Sequence, residues 1–235
     1  MIPKIIHYCW LSDDPVPEVF QKYMSTWKEH LPDYEFMLWN FDRFDINMSL
    51  WVKEAFENRK YAFAADYIRL YAVYHYGGIY LDMDVEVIKS FDSLLNKQSI
   101  LGWETQKGIE GGVFGAERGS LWVKDCLSYY CERSFILPSG SMNMRPLPQI
   151  MFDILYEKYI RTGILSLLSP DFLTAKSYET GKIIRTDNTY TIHHFAASWY
   201  GRKHKLYRTV KHIFGARIAC LLSTFYKKTL FLLGK

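Results

Sequence analysis

Cysteine is scarce in this sequence, and its few copies have no arrangement typical of a metal site or a redox pair. The 235 residues include four cysteines, with no Cys-x-x-Cys pair and no Cys/His spacing that fits zinc. The first residues, IPKIIHYCW after Met1, also lack the cationic and long apolar segments of a secretory signal. We therefore expect a protein of a reducing, cytoplasmic compartment.

Acidic residues are absent from residues 202–235, and so is an apolar run long enough to cross a membrane. This tail contains nine of the 29 lysines and arginines, so residues 1–201 carry 20 basic and 25 acidic residues. Apolar residues recur in the tail at helical spacings, but Arg217 and the Lys227-Lys228 pair interrupt them before the roughly 20 that a spanning helix needs.

We predict that residues 202–235 form a basic amphipathic helical tail, peripheral on the inner face of the cell membrane, where its cations meet anionic lipid. The alternative is a terminal helix packed on the body of the protein. Nucleic acid is not an expected partner, because the acidic body offers no extended basic groove.

The order of the first predicted elements indicates an open α/β sheet. Residues 2–10 are rich in β-branched and aromatic types, and YEFMLWN is a second apolar run. Between them, apolar residues follow at helical spacings from Phe20 to Leu31, after Pro17. A strand, a helix and a strand at this length predict a βαβ unit. Because we find no internal repeat and no linker, we assign residues 1–201 to one domain.

The stretch YHYGGIYLDMDVEV, residues 74–87, contains three alternating acids. If it forms one strand, Asp82, Asp84 and Glu86 point to the same face. Carboxylates this close repel one another unless water surrounds them or a cation lies between them. An isolated Asp-x-Asp is most often solvated, but two such carboxylates also suit Mg²⁺ or Mn²⁺ held together with substrate phosphates.

Two charged residues on the preceding predicted helix favour the cation. Asp66 and Arg69 are three residues apart on one helix face, in AFAADYIRL, where small neighbours allow close approach. Asp66 precedes Asp82 by only sixteen residues, across a Gly77-Gly78 helix end. We therefore predict that this helix and the acid-bearing strand pack side by side.

Three segments resemble a known family: IPKIIHYCW, AADYIRLYAVYHYGGIYLDMDVEV and IHHFAASWYG. They look like the DxD-containing, sugar-binding glycosyltransferases of family 32, over roughly residues 1–201, and the middle segment is similar to the core of the large glucosylating toxins. The resemblance implies a GT-A fold, a Rossmann-like nucleotide-binding α/β domain with an open mixed sheet flanked by helices. It also implies a nucleotide-sugar donor, a divalent metal and retention of anomeric configuration.

The resemblance assigns roles to the charged residues of the middle segment. Asp84 matches a direct metal ligand, and Asp82 matches an acid that contacts ribose and donor sugar and reaches the metal through water. Asp66 and Arg69 match residues that hold donor sugar hydroxyls, with the arginine also near the phosphates.

The resemblance also assigns roles outside this group. Trp10 matches an aromatic that stacks on the base, Tyr80 lies beside the same nucleotide, and Asn40 falls near a contact to base or ribose. For the aromatics the alternative is core packing, and for Asn40 it is an ordinary turn. Near the end of the domain, a metal ligand and donors to the diphosphate are expected from His194, Ser198 and Trp199. Adjacent residues of a strand face opposite sides, so only one of His193 and His194 can enter the site. His194 is preferred, and the alternative for it is a buried, hydrogen-bonded histidine.

These assignments predict a retaining, metal-dependent hexosyltransferase. It would use Mn²⁺ or Mg²⁺ and a nucleotide-diphosphate sugar, with UDP-sugars favoured, and a glycan or lipid-linked saccharide acceptor, as in bacterial surface polysaccharide synthesis. Because no free carboxylate stands out as a nucleophile, a front-face reaction is expected. The alternatives are a hydrolase that uses a metal-bound water and a non-catalytic membrane-associated binding protein. Gly111-Gly112 stands where the family often has an asparagine, which leaves the acceptor contacts open.

Overall fold

The centre of the fold is a mixed five-stranded sheet. In the computed structural model, which describes residues 1–105 and 108–196, nine strands lie in the described chain. They are β1 Ile5–Cys9, β2 Glu35–Trp39, β3 Gly78–Leu81, β4 Val85–Val87, β5 Ser99–Ile100, β6 Trp103–Thr105, β7 Gly108–Ile109, β8 Val113–Ala116 and β9 Thr191–His193. The central sheet has the order β2-β1-β3-β8-β5, and β4-β9 and β6-β7 form two small sheets.

Helices surround the central sheet. They are α1 Glu18–His30, α2 Leu50–Glu57, α3 Tyr61–Tyr76, α4 Leu121–Ser128, α5 Leu147–Leu155 and α6 Pro170–Leu173. A π-helical turn, Tyr156–Ile160, continues α5. Among the described residues, every helix is too short or too polar to span a membrane.

The predicted βαβ unit is confirmed. β1 pairs parallel with β2, from Ile5 opposite Glu35 to Cys9 opposite Trp39, and α1 connects the two strands. β1 also pairs parallel with β3, whereas β8 pairs antiparallel with both β3 and β5. The carboxyl ends of β1, β2 and β3 therefore meet at one edge of the sheet, which is where ligands bind in open α/β folds.

Two glycines make the close connection from α3 to β3 possible. Gly77 and Gly78 have φ values of 68° and 104°, a backbone region that side chains with a Cβ rarely adopt. A Cβ on Gly78 would also lie 2.6 Å from the Ile5 carbonyl oxygen of β1. His7 fixes the turn from the other side, with Nε2 2.7 Å from the Gly77 carbonyl oxygen. The helix end predicted here is confirmed.

The chain divides into two units by its internal contacts. The first contains residues 1–176 and 183–194, and the second contains residues 177–182 and 195–235. In the second unit, the Ser177 amide donates to the Lys182 carbonyl at 2.9 Å, and the rings of Tyr178 and Phe195 lie 5.3 Å apart. The predicted division between residues 1–201 and 202–235 falls outside the described residues and stays a prediction.

Candidate active site

The two aspartates of the Asp-x-Asp motif lie in a turn between two strands. β3 ends at Leu81 and β4 begins at Val85, whose amide donates to the Asp82 carbonyl at 3.0 Å. The two strands belong to different sheets. The prediction that Asp82, Asp84 and Glu86 share one strand face is therefore wrong, because the turn interrupts the strand alternation between them.

Arg69 on α3 is buried, and acceptors surround its guanidinium. Nη2 and Nη1 lie 3.2 and 3.3 Å from the two carboxylate oxygens of Asp82, and Nη2 is 3.3 Å from Asp66. Nη1 also donates to the Gly111 carbonyl at 2.7 Å, and Nε donates to the Ala65 carbonyl at 3.4 Å. The predicted packing of α3 beside the aspartates is confirmed. In this arrangement Arg69 holds Asp82, and its expected contacts with sugar hydroxyls and phosphates stay a prediction.

Asp66 lies in a more enclosed environment than the other acids predicted for the site. It is 8% exposed and forms an ion pair with Arg69 on the next turn of α3. Burial raises the pKa of Asp66 to about 7, even though the Arg69 charge acts in the opposite direction. Near neutral pH such a carboxyl group exists in both forms, so it can either donate to or accept from a sugar hydroxyl.

Tyr80 in β3 supports Asp82 from within the core. Its hydroxyl donates to Asp82 Oδ1 at 2.8 Å, and the guanidinium carbon of Arg69 lies 4.6 Å from the centre of its ring. The ring also stacks on Phe114 of β8 at a centroid distance of 5.7 Å. Only 1% of Tyr80 is exposed. The structure therefore favours core packing over the predicted place beside the nucleotide.

His193, not the predicted His194, faces the two aspartates. It is the last residue of β9 and pairs with Val85, the residue that follows the Asp-x-Asp turn. This pairing places Nε2 of His193 3.3 Å from Asp84 Oδ1 and 3.9 Å from Asp82 Oδ2. The ring is nearly buried, so the backbone pairing and its surroundings hold it beside the turn.

His194 is held by a different set of partners. Its Nε2 lies 2.8 Å from a carboxylate oxygen of Glu86, and its ring stacks on Tyr23 of α1 at a centroid distance of 4.2 Å. Its amide donates to the Asp84 carbonyl at 2.9 Å. The predicted preference for His194 is thus corrected in one respect: His193 is the histidine that faces the aspartates, because adjacent residues of an extended segment project to opposite sides.

A buried acid that the sequence analysis did not single out, Glu110, completes this side of the site. Its Oε1 lies 2.9 Å from Nδ1 of His193 and accepts the Gly112 amide at 2.6 Å. Its Oε2 accepts the Thr174 hydroxyl at 2.5 Å. Burial acts to raise the pKa of Glu110, but His193 and these hydrogen bonds lower it below its ordinary value.

Gly112, just before β8, has no side chain and lies close to both His193 and Asp82. A Cβ at this position would lie 2.6 Å from Cε1 of His193 and 2.7 Å from Oδ2 of Asp82. The Gly112 carbonyl also accepts the Asp82 amide at 2.7 Å. The glycine pair in GIEGG was therefore the sequence signal for a close approach, although the sequence alone did not show what approaches.

Asp82, Asp84 and His193 together have the donor atoms to hold a cation. One ligand atom from each lies within 4.8 Å of the others. Carboxylate oxygens suit Mg²⁺ and Mn²⁺, and an imidazole nitrogen is also acceptable to Mn²⁺. Burial lowers the pKa of His193, but the Glu110 and Asp84 carboxylates offset this and raise it well above its ordinary value. The site therefore attracts positive charge, and its residues fit a divalent metal.

Trp10 and Asn40 follow the carboxyl ends of β1 and β2, at the same edge as the Asp-x-Asp turn. Trp10 is half-buried, and its indole N–H donates to the Asp14 carbonyl at 2.8 Å. Asn40 Oδ1 accepts the amides of Asp42 and Arg43 at 3.2 and 3.3 Å, so Asn40 closes a turn. Their contacts with a nucleotide stay predictions, as do those of Ser198 and Trp199, which lie outside the described residues.

The sequence matches a described family in the part that contributes Asp66, Arg69 and the Asp-x-Asp turn to this site. Residues 17–101 match the family "Glycosyltransferase sugar-binding region containing DXD motif". This segment is similar to a glycosyltransferase sugar-binding region. The match includes α3, β3 and the Asp-x-Asp turn, and it confirms the sequence prediction at the level of a DxD glycosyltransferase.

Several curated relatives are fungal proteins named as mannosyltransferases or as mannosyl phosphorylinositol ceramide synthases. "Mannosyl phosphorylinositol ceramide synthase SUR1" of Saccharomyces cerevisiae is 26% identical over 238 aligned positions, which cover 96% of this chain and 58% of that protein. "Inositol phosphoceramide mannosyltransferase 2" of Schizosaccharomyces pombe is 37% identical over 169 positions, which cover 68% of this chain and 48% of that protein. The chain thus spans about half the length of these relatives. They do not support the expected link to bacterial surface polysaccharide.

A solved structure confirms the fold. The PaToxG glycosyltransferase superposes with a TM-score of 0.52 at 17% sequence identity, over 69% of this chain and 72% of that chain. At this identity the likeness concerns the fold alone. The mixed sheet with flanking helices is that of the GT-A glycosyltransferases, as the sequence predicted.

Proposed function

We propose that the protein is a retaining, metal-dependent hexosyltransferase that uses a nucleotide-diphosphate sugar. The observation that carries this proposal is the convergence of Asp82, Asp84 and His193 beside the carboxyl end of β3 in a GT-A sheet. Asp66 and Arg69 lie directly behind this group. A solvated acidic surface would not have needed buried partners for its carboxylates.

The donor would lie along the edge formed by the ends of β1, β2 and β3. Trp10 would stack on the base, and Asn40 would contact base or ribose. Asp82, Asp84 and His193 would hold Mn²⁺ or Mg²⁺, which when bound neutralises charge on the diphosphate. Asp66, the enclosed acid on α3, would bind a hydroxyl of the donor sugar.

The residues of the site favour a front-face reaction over a covalent intermediate. Glu110 is fully buried and bonded at both oxygens, so it is not available as a nucleophile. Asp82 is held in one orientation by Arg69 and Tyr80. In a front-face reaction the acceptor hydroxyl attacks from the side that the diphosphate leaves, and a phosphate oxygen takes its proton.

The names of the relatives suggest a refinement of donor and acceptor. Those proteins are named as mannosyltransferases of inositol phosphoceramide, so a mannosyl donor and a glycolipid acceptor are the first candidates for this chain. The resemblance to family 32 favours UDP-sugars, whereas a mannosyl donor would more commonly carry GDP. Both classes belong in the test.

A donor and acceptor screen tests the proposal. The full chain would be incubated with UDP- and GDP-hexoses, GDP-mannose included, with Mn²⁺, and with and without inositol phosphoceramide or lipid-linked saccharides. We expect slow donor hydrolysis alone and formation of a glycosylated lipid with the right acceptor. Free sugar as the single product with every acceptor would favour the hydrolase alternative. No response to any nucleotide sugar would favour a non-catalytic binding protein.

We also propose that the tail places the enzyme at the cytoplasmic face of a membrane. The support is its composition, nine cations and no acid in residues 202–235. Co-sedimentation with vesicles tests this on the full chain. Binding should require anionic lipid, weaken with salt, and fall in a variant that carries Lys227→Glu and Lys228→Glu. Equal binding to neutral vesicles would contradict the proposal.

A further inference from the structure

Glu110 is completely buried, and no lysine or arginine among residues 1–105 and 108–196 forms an ion pair with it. It is 0% exposed, and its neighbours through hydrogen bonds are the His193 ring, the Gly112 amide and the Thr174 hydroxyl. A buried carboxylate that lacked these hydrogen-bond partners would strongly destabilise the fold. The ionic partner of Glu110 in the described part of the chain is His193.

The two nitrogens of His193 face different partners. Nδ1 lies 2.9 Å from Glu110 Oε1, while Nε2 lies 3.3 Å from Asp84 Oδ1. A carboxylate accepts a proton-bearing nitrogen, so Glu110 keeps the N–H on Nδ1 and leaves Nε2 directed at the aspartates. With its N–H on Nδ1, a neutral imidazole can offer its Nε2 lone pair to a cation, and a cation that binds displaces any proton from Nε2.

Glu110 is itself fixed from two directions. Oε1 also accepts the Gly112 amide at 2.6 Å, and the Gly112 carbonyl accepts the Asp82 amide at 2.7 Å. Oε2 is held by the Thr174 hydroxyl, which comes from the end of α6. One carboxylate therefore connects His193 to the segment that also supports Asp82.

We propose that Glu110 is a positioning residue that orients His193 for metal binding. This inference rests on the proposed metal-dependent function. It adds to the metal site a positioning residue that lies outside the Asp-x-Asp motif. Glu110 acts through His193 and does not touch the sugar or the diphosphate. Metal affinity should therefore depend on Glu110 as long as His193 is present.

Direct binding of Mn²⁺ to the full-length protein tests the proposal without any activity measurement. Free Mn²⁺ would be followed by electron paramagnetic resonance, with and without UDP, for wild type, Glu110→Gln, His193→Ala and the double variant. Glutamine keeps the size of the side chain and can still accept from Nδ1, but it removes the charge. We expect Glu110→Gln to raise the Mn²⁺ dissociation constant by about 10- to 100-fold, the range for loss of an outer partner of a metal ligand.

The double variant separates positioning from a merely structural role. If Glu110 acts through His193, adding Glu110→Gln to His193→Ala should leave the Mn²⁺ dissociation constant unchanged. Glu54→Gln is the matched control, since Glu54 also accepts from a serine hydroxyl and a backbone amide, at Ser134 and Ile136. It should bind Mn²⁺ as wild type does.

Three results would overturn the inference. Equal Mn²⁺ affinity of wild type and folded Glu110→Gln would exclude positioning by Glu110 and leave the proposed function standing. An equal loss in the presence and absence of His193 would indicate a general structural role. A wild-type protein that binds no Mn²⁺ even with UDP would remove the proposed metal site itself.

If Glu110→Gln does not fold, Thr174→Val takes its place. We then expect a smaller loss of Mn²⁺ affinity, and an unchanged Mn²⁺ affinity would count against the proposal.

Discussion

The two sides of the candidate site are built in opposite ways. On one side, Asp66, Arg69 and Asp82 come from a continuous helix, turn and strand within residues 66–84, and they form a dense group of ion pairs. On the other, Glu110 and His193 come from segments 83 residues apart and are joined by one buried contact. The first side is assembled by local geometry, and the second depends on how distant strands pair.

This difference predicts different sensitivities. The local side keeps its shape as long as α3 and β3 form, because helix spacing and the Gly77-Gly78 turn bring its charges together. The distant side exists only when β9 pairs with β4 and the loop before β8 is in place. Variants at Gly112, the junction where the two sides meet, should therefore affect both sides. Variants at Trp10, at the edge of the sheet, should affect donor binding alone.

The largest effect is expected where both sides face the metal. Asp84→Asn keeps the size of the side chain and removes a charge next to Nε2 of His193. Transfer should fall by about 100- to 1000-fold, the range for loss of one preorganised electrostatic group, with little change in the melting temperature. The exposed Asp13→Asn serves as the control. Near wild-type turnover, or full activity in excess EDTA, would contradict the metal site.

The next effect concerns the junction itself. Gly112→Ala places a Cβ 2.6 Å from His193 and 2.7 Å from Asp82, so we expect a loss of about 1–3 kcal/mol in unfolding free energy together with lower transfer. The control is the neighbouring Gly111→Ala, whose Cβ would meet Pro148 at an ordinary 3.4 Å. Urea unfolding measures both. Equal stability of the two variants would show that the junction is not crowded.

Substitution of Trp10, at the edge of the sheet, should weaken donor binding and leave both sides of the site intact. Trp10→Ala should raise the KM for the donor, since a stacked base is worth about 1–3 kcal/mol, and should leave kcat largely unchanged. Trp10→Phe should be milder because it keeps an aromatic face. If Trp10→Ala unfolds the protein and the folded fraction binds donor normally, Trp10 is a packing residue.

The smallest effect is a pH dependence on the local side. The pKa of Asp66 is about 7 in the folded protein against 3.8 ordinarily, so the folded state holds a proton that the unfolded state has already lost. Wild-type stability should therefore decrease as pH rises through this window, and Asp66→Asn should be free of that decrease. The stability of Asp66→Asn relative to wild type should rise by at most about 1.4 kcal/mol per pH unit.

Urea unfolding at about pH 5 and about pH 7 measures this difference, within the window over which Asp66 titrates. Asp13→Asn should show no pH-dependent difference from wild type. A constant difference between Asp66→Asn and wild type at both pH values would mean that Asp66 does not titrate there.

Much of the local architecture could be predicted from the sequence. The helical spacing of Asp66 and Arg69, the glycine pair at the helix end and the strand before Asp82 all depend on residues within a few turns of one another. Local backbone rules therefore suffice to place them side by side. The alternation rule failed only where a turn separated Asp82 from Glu86.

The tertiary structure decided the rest. Whether His193 or His194 faces the aspartates depends on the register of β9 against β4, which a single strand's sequence does not specify. Whether Tyr80 contacts a ligand or packs inside depends on β8 and α3 covering it. Glu110 has a role only because distant segments bury it against His193. Long-range pairing and burial are properties of the folded chain, so the sequence by itself determined one side of the site and the fold determined the other.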